Sequence, residues 1–254
     1  MNLRKIWTSV VPVILVFSIG CGGDTEAPEE STSPEPVAES AATGSAGISG
    51  KVTVEGDVPE AEVIRMNADP VCVGETSGDQ LTEFFLLGEE GALGNVFVYV
   101  KEGVSGKFDP PPTVTMDQKG CRYTPHVFGV QVGQTLTIVN SDPTLHNVHA
   151  LPASNEEFNM GQPVQGMKLD RTFTAEEVMV PFKCDVHGWM NAYVGVLSHP
   201  FFAVSGEGGS FSIDNLPAGD YVVEAWHEKL GTQTQNVTVG DGEKQEISFT
   251  FSAS

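Results

Sequence analysis

Residues 184–190 read Cys-Asp-Val-His-Gly-Trp-Met, so that a thiol, an imidazole and a thioether lie within one short loop. Soft sulfur ligands together with imidazole suit copper. A site with two histidines, one cysteine thiolate and a weak axial methionine holds both Cu(I) and Cu(II) with little rearrangement. The loop supplies Cys184, His187 and Met190, so the second histidine must come from another part of the chain.

A second segment, Asn140–His149, contains that histidine in the order Asn-Ser-Asp-Pro-Thr-Leu-His-Asn-Val-His. Together the two segments resemble the cupredoxins, most closely those of the amicyanin type, which share the Cys-x-x-His-x-x-Met spacing and the His-Asn-Val-His sequence. The resemblance covers roughly residues 113–197. It implies a Greek-key β-sandwich that carries one type 1 (blue) copper.

The resemblance also implies roles for individual residues. The metal ligands would be His146, Cys184, His187 and Met190, with the methionine in the axial position. Asn147 would join the two segments by a hydrogen bond near the cysteine sulfur, a contact of the kind that tunes copper sites. The electron would leave through His187. The chain departs from the amicyanin pattern at Gly188, where that group has proline, and at Pro181, which removes a donor from the strand before the cysteine.

The rest of the chain from Ile48 onward consists of short segments in which apolar and polar residues alternate, separated by Gly and Pro. Because no helical period is present, this pattern predicts an all-β fold. Near the end, residues 209–219 contain Gly-x-Phe-x-Ile and Leu-Pro-x-Gly, which resemble the carboxypeptidase regulatory-like β-sandwich. The predicted fold class is therefore a cupredoxin Greek-key β-sandwich with a second, small prealbumin-like β-sandwich.

That second module usually opens with Ile-x-Gly-x-Val, and the matching residues, Ile48, Gly50 and Val52, lie far upstream. Two arrangements remain open: one sandwich split by a copper domain inserted between Val100 and Ala203, or two domains in tandem. The predicted division is a signal peptide (1–20), an acidic tether (21–47), an N-terminal β segment that could belong to a split sandwich (48–106), a cupredoxin domain (107–200) and the regulatory-like sandwich (201–254).

The first residues have the pattern of an export signal, with Arg4 and Lys5 followed by an apolar run over residues 6–19. Because the run ends at Cys21, it resembles a bacterial lipoprotein signal, which would make Cys21 the lipidated residue of an exported protein anchored to a membrane and facing the periplasm or the cell exterior. Simple secretion and an uncleaved anchor remain open. Residues 22–47 are too polar to fold alone and predict a flexible tether.

The composition narrows the choice of partners. The net charge is −21, which argues against nucleic acid and is compatible with steering toward a basic redox protein, such as a cytochrome or a dehydrogenase. After Cys21 and Cys184 are assigned, Cys72 and Cys121 remain, and in an oxidising compartment such a pair most often forms a disulfide. Free thiols are the alternative.

The sequence thus predicts an exported, membrane-anchored copper protein that transfers electrons and is not an enzyme. Multicopper oxidases and copper nitrite reductases flank this cysteine with histidines, whereas here Lys183 and Asp185 flank it. Zinc could bind the same cysteine and histidines, but it has little use for a thioether. Two other functions remain open: copper storage or delivery without redox turnover, and a surface lipoprotein that binds through the closing sandwich.

Overall fold

The computed structural model describes residues 43–253, and these are almost entirely β-strands joined by short loops. The prediction of an all-β fold is confirmed. The strands of the first half are β1 (Ala46–Gly56), β2 (Phe97–Glu102), β3 (Val114–Gln118), β4 (Tyr123–Thr124), β5 (Val127–Gln131), β6 (Leu136–Asn140), β7 (His146–Ala150) and β8 (Phe158–Gln162). Those of the second half are β9 (Lys168–Arg171), β10 (Glu177–Lys183), β11 (Asn191–Leu197), β12 (Phe202–Val204), β13 (Ser210–Leu216), β14 (Gly219–His227), β15 (Gly231–Val239) and β16 (Lys244–Ala253).

Helices are minor elements of the described chain. They comprise α1 (Pro70–Glu75) and a single 3₁₀ turn (Glu89–Gly91), both between β1 and β2. Among residues 43–253, no helix has the length and apolar character needed to cross a membrane. The predicted signal peptide, the lipidation site Cys21 and most of the predicted tether lie outside the described residues.

The first sandwich combines strands from both ends of the described chain. One sheet has the order β13-β1-β16, in which β1 runs antiparallel to β13 and parallel to β16. The facing sheet has the order β12-β2-β14-β15. Their apolar faces share one core that includes Val52, Val98, Val223 and Phe249. Strands β1 and β2, which precede the strands of the second sandwich along the chain, thus pair with strands that follow them.

The motif glycine at position 50 is explained by the parallel pair β1–β16. A Cβ atom at Gly50 would lie 1.7 Å from the carbonyl oxygen of Ile247, so only glycine allows the two backbones to approach this closely. Alternate residues of β1, such as Ile48 and Val52, point into the core.

The second sandwich is formed by the strands between β2 and β12. Its sheets have the orders β5-β11-β10-β7-β8 and β4-β3-β6-β9. They enclose a core that includes Met116, Ile138, Val148 and Phe182. Pro181 lies within β10, where its carbonyl accepts a hydrogen bond from the Leu151 amide at 3.0 Å. The strand therefore continues past the proline to Lys183.

The two sandwiches pack through two facing sheets. Gly129 and Gly195 are paired across β5 and β11, and the missing side chains leave a flat patch on that sheet. The rings of Phe97 and Phe202 lie on this patch and stack on each other with centroids 5.4 Å apart. A Cβ atom at Gly195 would lie 2.4 Å from Phe97 Cζ. The contact thus depends on glycine at paired positions of β5 and β11.

Candidate metal centre

The ligand loop lies between β10 and β11 and is closed by backbone hydrogen bonds. The Cys184 amide donates to the Met190 carbonyl at 3.1 Å, and the Met190 amide donates to the His187 carbonyl at 2.9 Å. Because β10 and β11 pair up to Lys183 and Asn191, the loop has no freedom to open at its base. The pairing of β10 with β11 ends at the two residues that flank the loop, and this keeps the turn tight.

Three of the four predicted ligands meet in space. The Nδ1 atoms of His146 and His187 are 3.0 Å apart, and the Cys184 Sγ lies 3.9 Å from the His187 Nδ1. One ligand atom from each of the three residues lies within 4.8 Å of the others. His146 is fully buried, and Cys184 and His187 are 2% and 3% exposed. His146 is the first residue of β7, directly after the connection formed by residues 141–145, and this position brings it to the ligand loop.

Met190 is also buried and belongs to the same apolar cluster as Cys184. Its backbone completes the loop, as described above. The assignment of its sulfur as the axial ligand stays a prediction.

Each of the two histidines is hydrogen-bonded through its Nε2 atom to a carboxylate. The Nε2 atom of His146 donates to Asp142 Oδ2 at 2.9 Å, and the Nε2 atom of His187 donates to Asp69 Oδ2 at 3.0 Å. Asp142 is fixed in turn by the amides of Gly120 and Cys121, each at 2.8 Å. A proton held on Nε2 leaves the lone pair of Nδ1 free, and such carboxylate partners set the tautomer and orientation of metal-binding histidines.

Neither carboxylate was predicted from the sequence. Asp142 was within reach, because it lies in the quoted segment Asn140–His149, four residues before its partner His146. Asp69 lies 118 residues before His187, in the connection between β1 and β2, and no sequence pattern marks it.

The electrostatic environment favours ionisation of the thiol. Burial raises the pKa of Cys184, but hydrogen bonds from His146 and from backbone amides, including that of Asn147, bring it below its ordinary value. Burial lowers the pKa of His146, whereas Asp142 and Cys184 raise it, and the result is about 9. Burial likewise raises the pKa of Asp142, and hydrogen bonds from His146 and backbone amides lower it further than burial raises it. The pKa of the thiol is thus shifted down and that of the His146 imidazole up by their mutual contact.

Asn147 joins β7 to the ligand loop. Its Oδ1 accepts a hydrogen bond from the Asp185 amide at 2.6 Å, and its Nδ2 donates to Asn159 Oδ1 at 2.5 Å. The side chain of Asn147 thus bonds to the residue that follows Cys184 in the loop. His149 lies outside the ligand group and bonds instead with Asp185 and Glu157, each at 2.9 Å.

Cys72 and Cys121 form a disulfide with Cα atoms 5.5 Å apart. Cys72 Sγ lies 3.6 Å from His187 Nε2, and Trp189 Nε1 donates to the Cys121 carbonyl at 3.0 Å. The sequence predicts that the electron leaves through His187, and in the structure Asp69 and the disulfide cover the Nε2 edge of that ring. The reason is the connection between β1 and β2, which folds back over the ligand loop.

The donor set fits a copper ion. Two nitrogens 3.0 Å apart can both lie within the ~2.0–2.1 Å at which transition metals bind imidazole. Two further groups of potential ligands include Cys72 or Cys121, whose sulfurs are used in the disulfide. Within residues 43–253, Cys184 is the one cysteine outside a disulfide. A thiolate with two imidazoles and a nearby buried thioether suits copper better than zinc.

No protein-family model matches this sequence, and no curated protein matches it. Solved structures match parts of the chain. A copper-containing nitrite reductase from Thermus scotoductus SA-01 is 24% identical, with a TM-score of 0.32, over 40% of this chain and 25% of its own. A mutant of amicyanin in its reduced Cu(I) form is 24% identical, with a TM-score of 0.30, over 35% of this chain and 91% of its own. A purple cupredoxin from Nitrosopumilus maritimus is 21% identical, with a TM-score of 0.29, over 34% of this chain and 99% of its own. The chain thus spans a quarter of the length of the nitrite reductase and nearly the whole length of the amicyanin and of the purple cupredoxin.

Proposed function

We propose that this chain is an electron-transfer protein with one type 1 copper, bound by His146, Cys184 and His187 with Met190 as the axial ligand. One observation carries the proposal. Two histidine Nδ1 atoms lie 3.0 Å apart beside a buried free thiol, and each opposite Nε2 is held by a carboxylate. A histidine pair with a purely structural role has no need of two Nδ1 atoms brought together next to a thiol.

When bound, copper supplies a one-electron couple between Cu(I) and Cu(II). The residues of the chain keep the site in one geometry during the transfer. Asp142 and Asp69 fix the imidazole rings, and the closed ladder of β10 and β11 fixes the thiolate. Because the ligands are at most 3% exposed, little bulk water contacts them, so little solvent has to reorganise when the charge of the site changes.

We propose further that the protein is a carrier and not an enzyme. The buried ligands leave no open position at the surface for a substrate. One cavity of the described chain, about 500 Å³, is lined by residues such as Asn155, Arg171 and Phe173 and contains none of the proposed ligands. A one-electron exchange needs no direct contact between the metal and the partner.

The proposed setting is an exported lipoprotein, lipidated at Cys21 and tethered to a membrane that faces the periplasm or the cell exterior. This part rests on the sequence of residues 1–47. The proposed partner is a redox protein with a basic docking surface, because the chain carries a net charge of −21. A cytochrome or a dehydrogenase would meet that description.

The visible spectrum of the full-length protein after addition of Cu(II) tests the copper site. We expect an intense band from the thiolate–copper bond that is absent from Cys184→Ser and strongly weakened in His146→Gln. The matched control is His149→Gln, three residues away on the same strand but outside the ligand group; it should keep the band. A wild-type protein that stays colourless, or a band that survives Cys184→Ser, would exclude the site.

Voltammetry of the copper-loaded protein separates electron transfer from storage. An electron carrier should show a reversible one-electron wave whose shape is unchanged over repeated cycles. Copper storage or delivery would show tight binding of Cu(I) without a reversible wave. That result would transfer the proposal to the storage function while leaving the ligand assignment intact.

A further inference from the structure

The solvent edge of His187 is closed by a segment that comes from the first sandwich. His187 Nε2 contacts Asp69 Oδ2 at 3.0 Å and Cys72 Sγ at 3.6 Å, and the residue is 3% exposed. Both contacts belong to the connection between β1 and β2, which also places Met66 and Cys72 in the core of the second sandwich. A ligand at a loop tip would face water without this segment, because Val186 and Gly188 on either side of it are exposed.

The Asp69 carboxylate is held by more than its contact with the histidine. Its Oδ1 accepts a hydrogen bond from the Val71 amide at 2.8 Å, which caps α1. Its Oδ2 accepts a second hydrogen bond, from the Thr144 hydroxyl at 3.0 Å, in addition to the one from His187. Thr144 lies two residues before His146, so the carboxylate bridges the two segments that supply the ligands.

The disulfide fixes this segment on the second sandwich. Cys72 lies within the first turn of α1, three residues after Asp69, and is bonded to Cys121. Cys121 also contacts the site from its own side, since its amide donates to Asp142 at 2.8 Å. The disulfide thus anchors the segment that contains Asp69 to the second sandwich, close to the contact between the Asp69 carboxylate and His187.

We propose that Asp69 is a positioning residue of the metal centre, which orients the His187 ring, closes its outer edge and lowers the reduction potential of bound copper. This inference rests on the proposed copper site. The hydrogen bond that Nε2 donates to Asp69 orients the ring so that Nδ1 faces Cys184. It also makes Nδ1 a stronger electron-pair donor to the metal. A negative charge next to a ligand stabilises Cu(II) more than Cu(I), because the attraction scales with the charge of the ion.

Two variants of Asp69 separate its charge from its hydrogen bond. Asp69→Asn keeps the shape and an acceptor oxygen but removes the charge, and Asp69→Ala removes both. Asp79→Asn is the matched control, since Asp79 is an exposed carboxylate in the same connection. Loss of such an outer partner costs roughly 10–100-fold in metal affinity. If only the affinity for Cu(II) falls, each tenfold decrease raises the reduction potential of the one-electron couple by about 59 mV.

The first measurement is the reduction potential of the copper-loaded proteins. We expect it to rise in Asp69→Asn, to rise further in Asp69→Ala, and to stay at the wild-type value in Asp79→Asn. A wild-type protein with a thiolate–copper band whose potential is the same in all three variants would overturn the inference and leave the proposed function standing. A wild-type protein that binds no copper would overturn both.

The second measurement uses the metal-free protein and reports on the closed edge directly. Carbethoxylation of His187, followed by mass spectrometry of its peptide, should be slow in the wild type and in Asp79→Asn. It should be severalfold faster in Asp69→Ala, where Nε2 loses its partner. Equal labelling rates in the wild type and Asp69→Ala would show that Asp69 does not close the edge and would overturn that part of the inference.

Discussion

Removal of the Cys72–Cys121 disulfide should cost a large part of the stability of the protein. The two cysteines are 49 residues apart, and closure of a loop of that length in the unfolded chain corresponds to about 4 kcal/mol in the chain-entropy description. The double variant Cys72→Ala/Cys121→Ala avoids a lone thiol. We expect its free energy of unfolding to fall by about that amount, because the unfolded chain regains the freedom that the cross-link removes.

Urea unfolding of the full-length protein, followed by tryptophan fluorescence, measures this difference. Wild-type protein unfolded in the presence of a dithiol reductant is the control, since it loses the cross-link without losing side chains. Both should show the same reduced stability and a larger dependence on urea, because a chain without the cross-link exposes more surface. A loss below about 1 kcal/mol in both would refute the reasoning, since it would mean that the unfolded chain gains almost no freedom without the bond.

Three further substitutions test other parts of the structure. Gly50→Ala should lower the free energy of unfolding by about 3 kcal/mol, since its Cβ would meet a backbone carbonyl at 1.7 Å. Gly74→Ala is the control and should be nearly neutral, because the space around Gly74 is open. Equal effects of the two substitutions in a urea titration would contradict this. Gly195→Val should displace the Phe97 ring and cost about 2 kcal/mol, with a changed near-ultraviolet circular dichroism; an unchanged spectrum would argue against the packing. Burial lowers the pKa of His227 to about 4. The unfolded chain binds a proton at His227 at higher pH than the folded chain does, so the free energy of unfolding should fall by up to about 3 kcal/mol between pH 6.5 and pH 4. His227→Phe should remove this part of the pH dependence. Parallel pH profiles of the wild type and the variant would be evidence against it.

Much of the candidate site could be predicted because its information is local. The ligand loop places Cys184, His187 and Met190 within seven residues, so the chain itself brings them to one place. His146 was predicted through the resemblance of its segment to the cupredoxins. In the structure its Nδ1 atom lies 3.0 Å from the Nδ1 atom of His187. Likewise, the all-β class follows from the alternation of apolar and polar residues, which each strand carries in its own sequence.

The sequence by itself therefore determined the strand character of the chain and the chemistry of the ligand loop, because both depend on residues that are neighbours along the backbone. Only the tertiary structure decided which strands pair, such as β1 with β16, whose partners are almost 200 residues apart. It also decided that Asp69 meets His187 across 118 residues and that the outer edge of the histidine is closed. Such contacts are made through space, and an aspartate in a connecting loop has the same sequence pattern whether it faces water or a metal ligand.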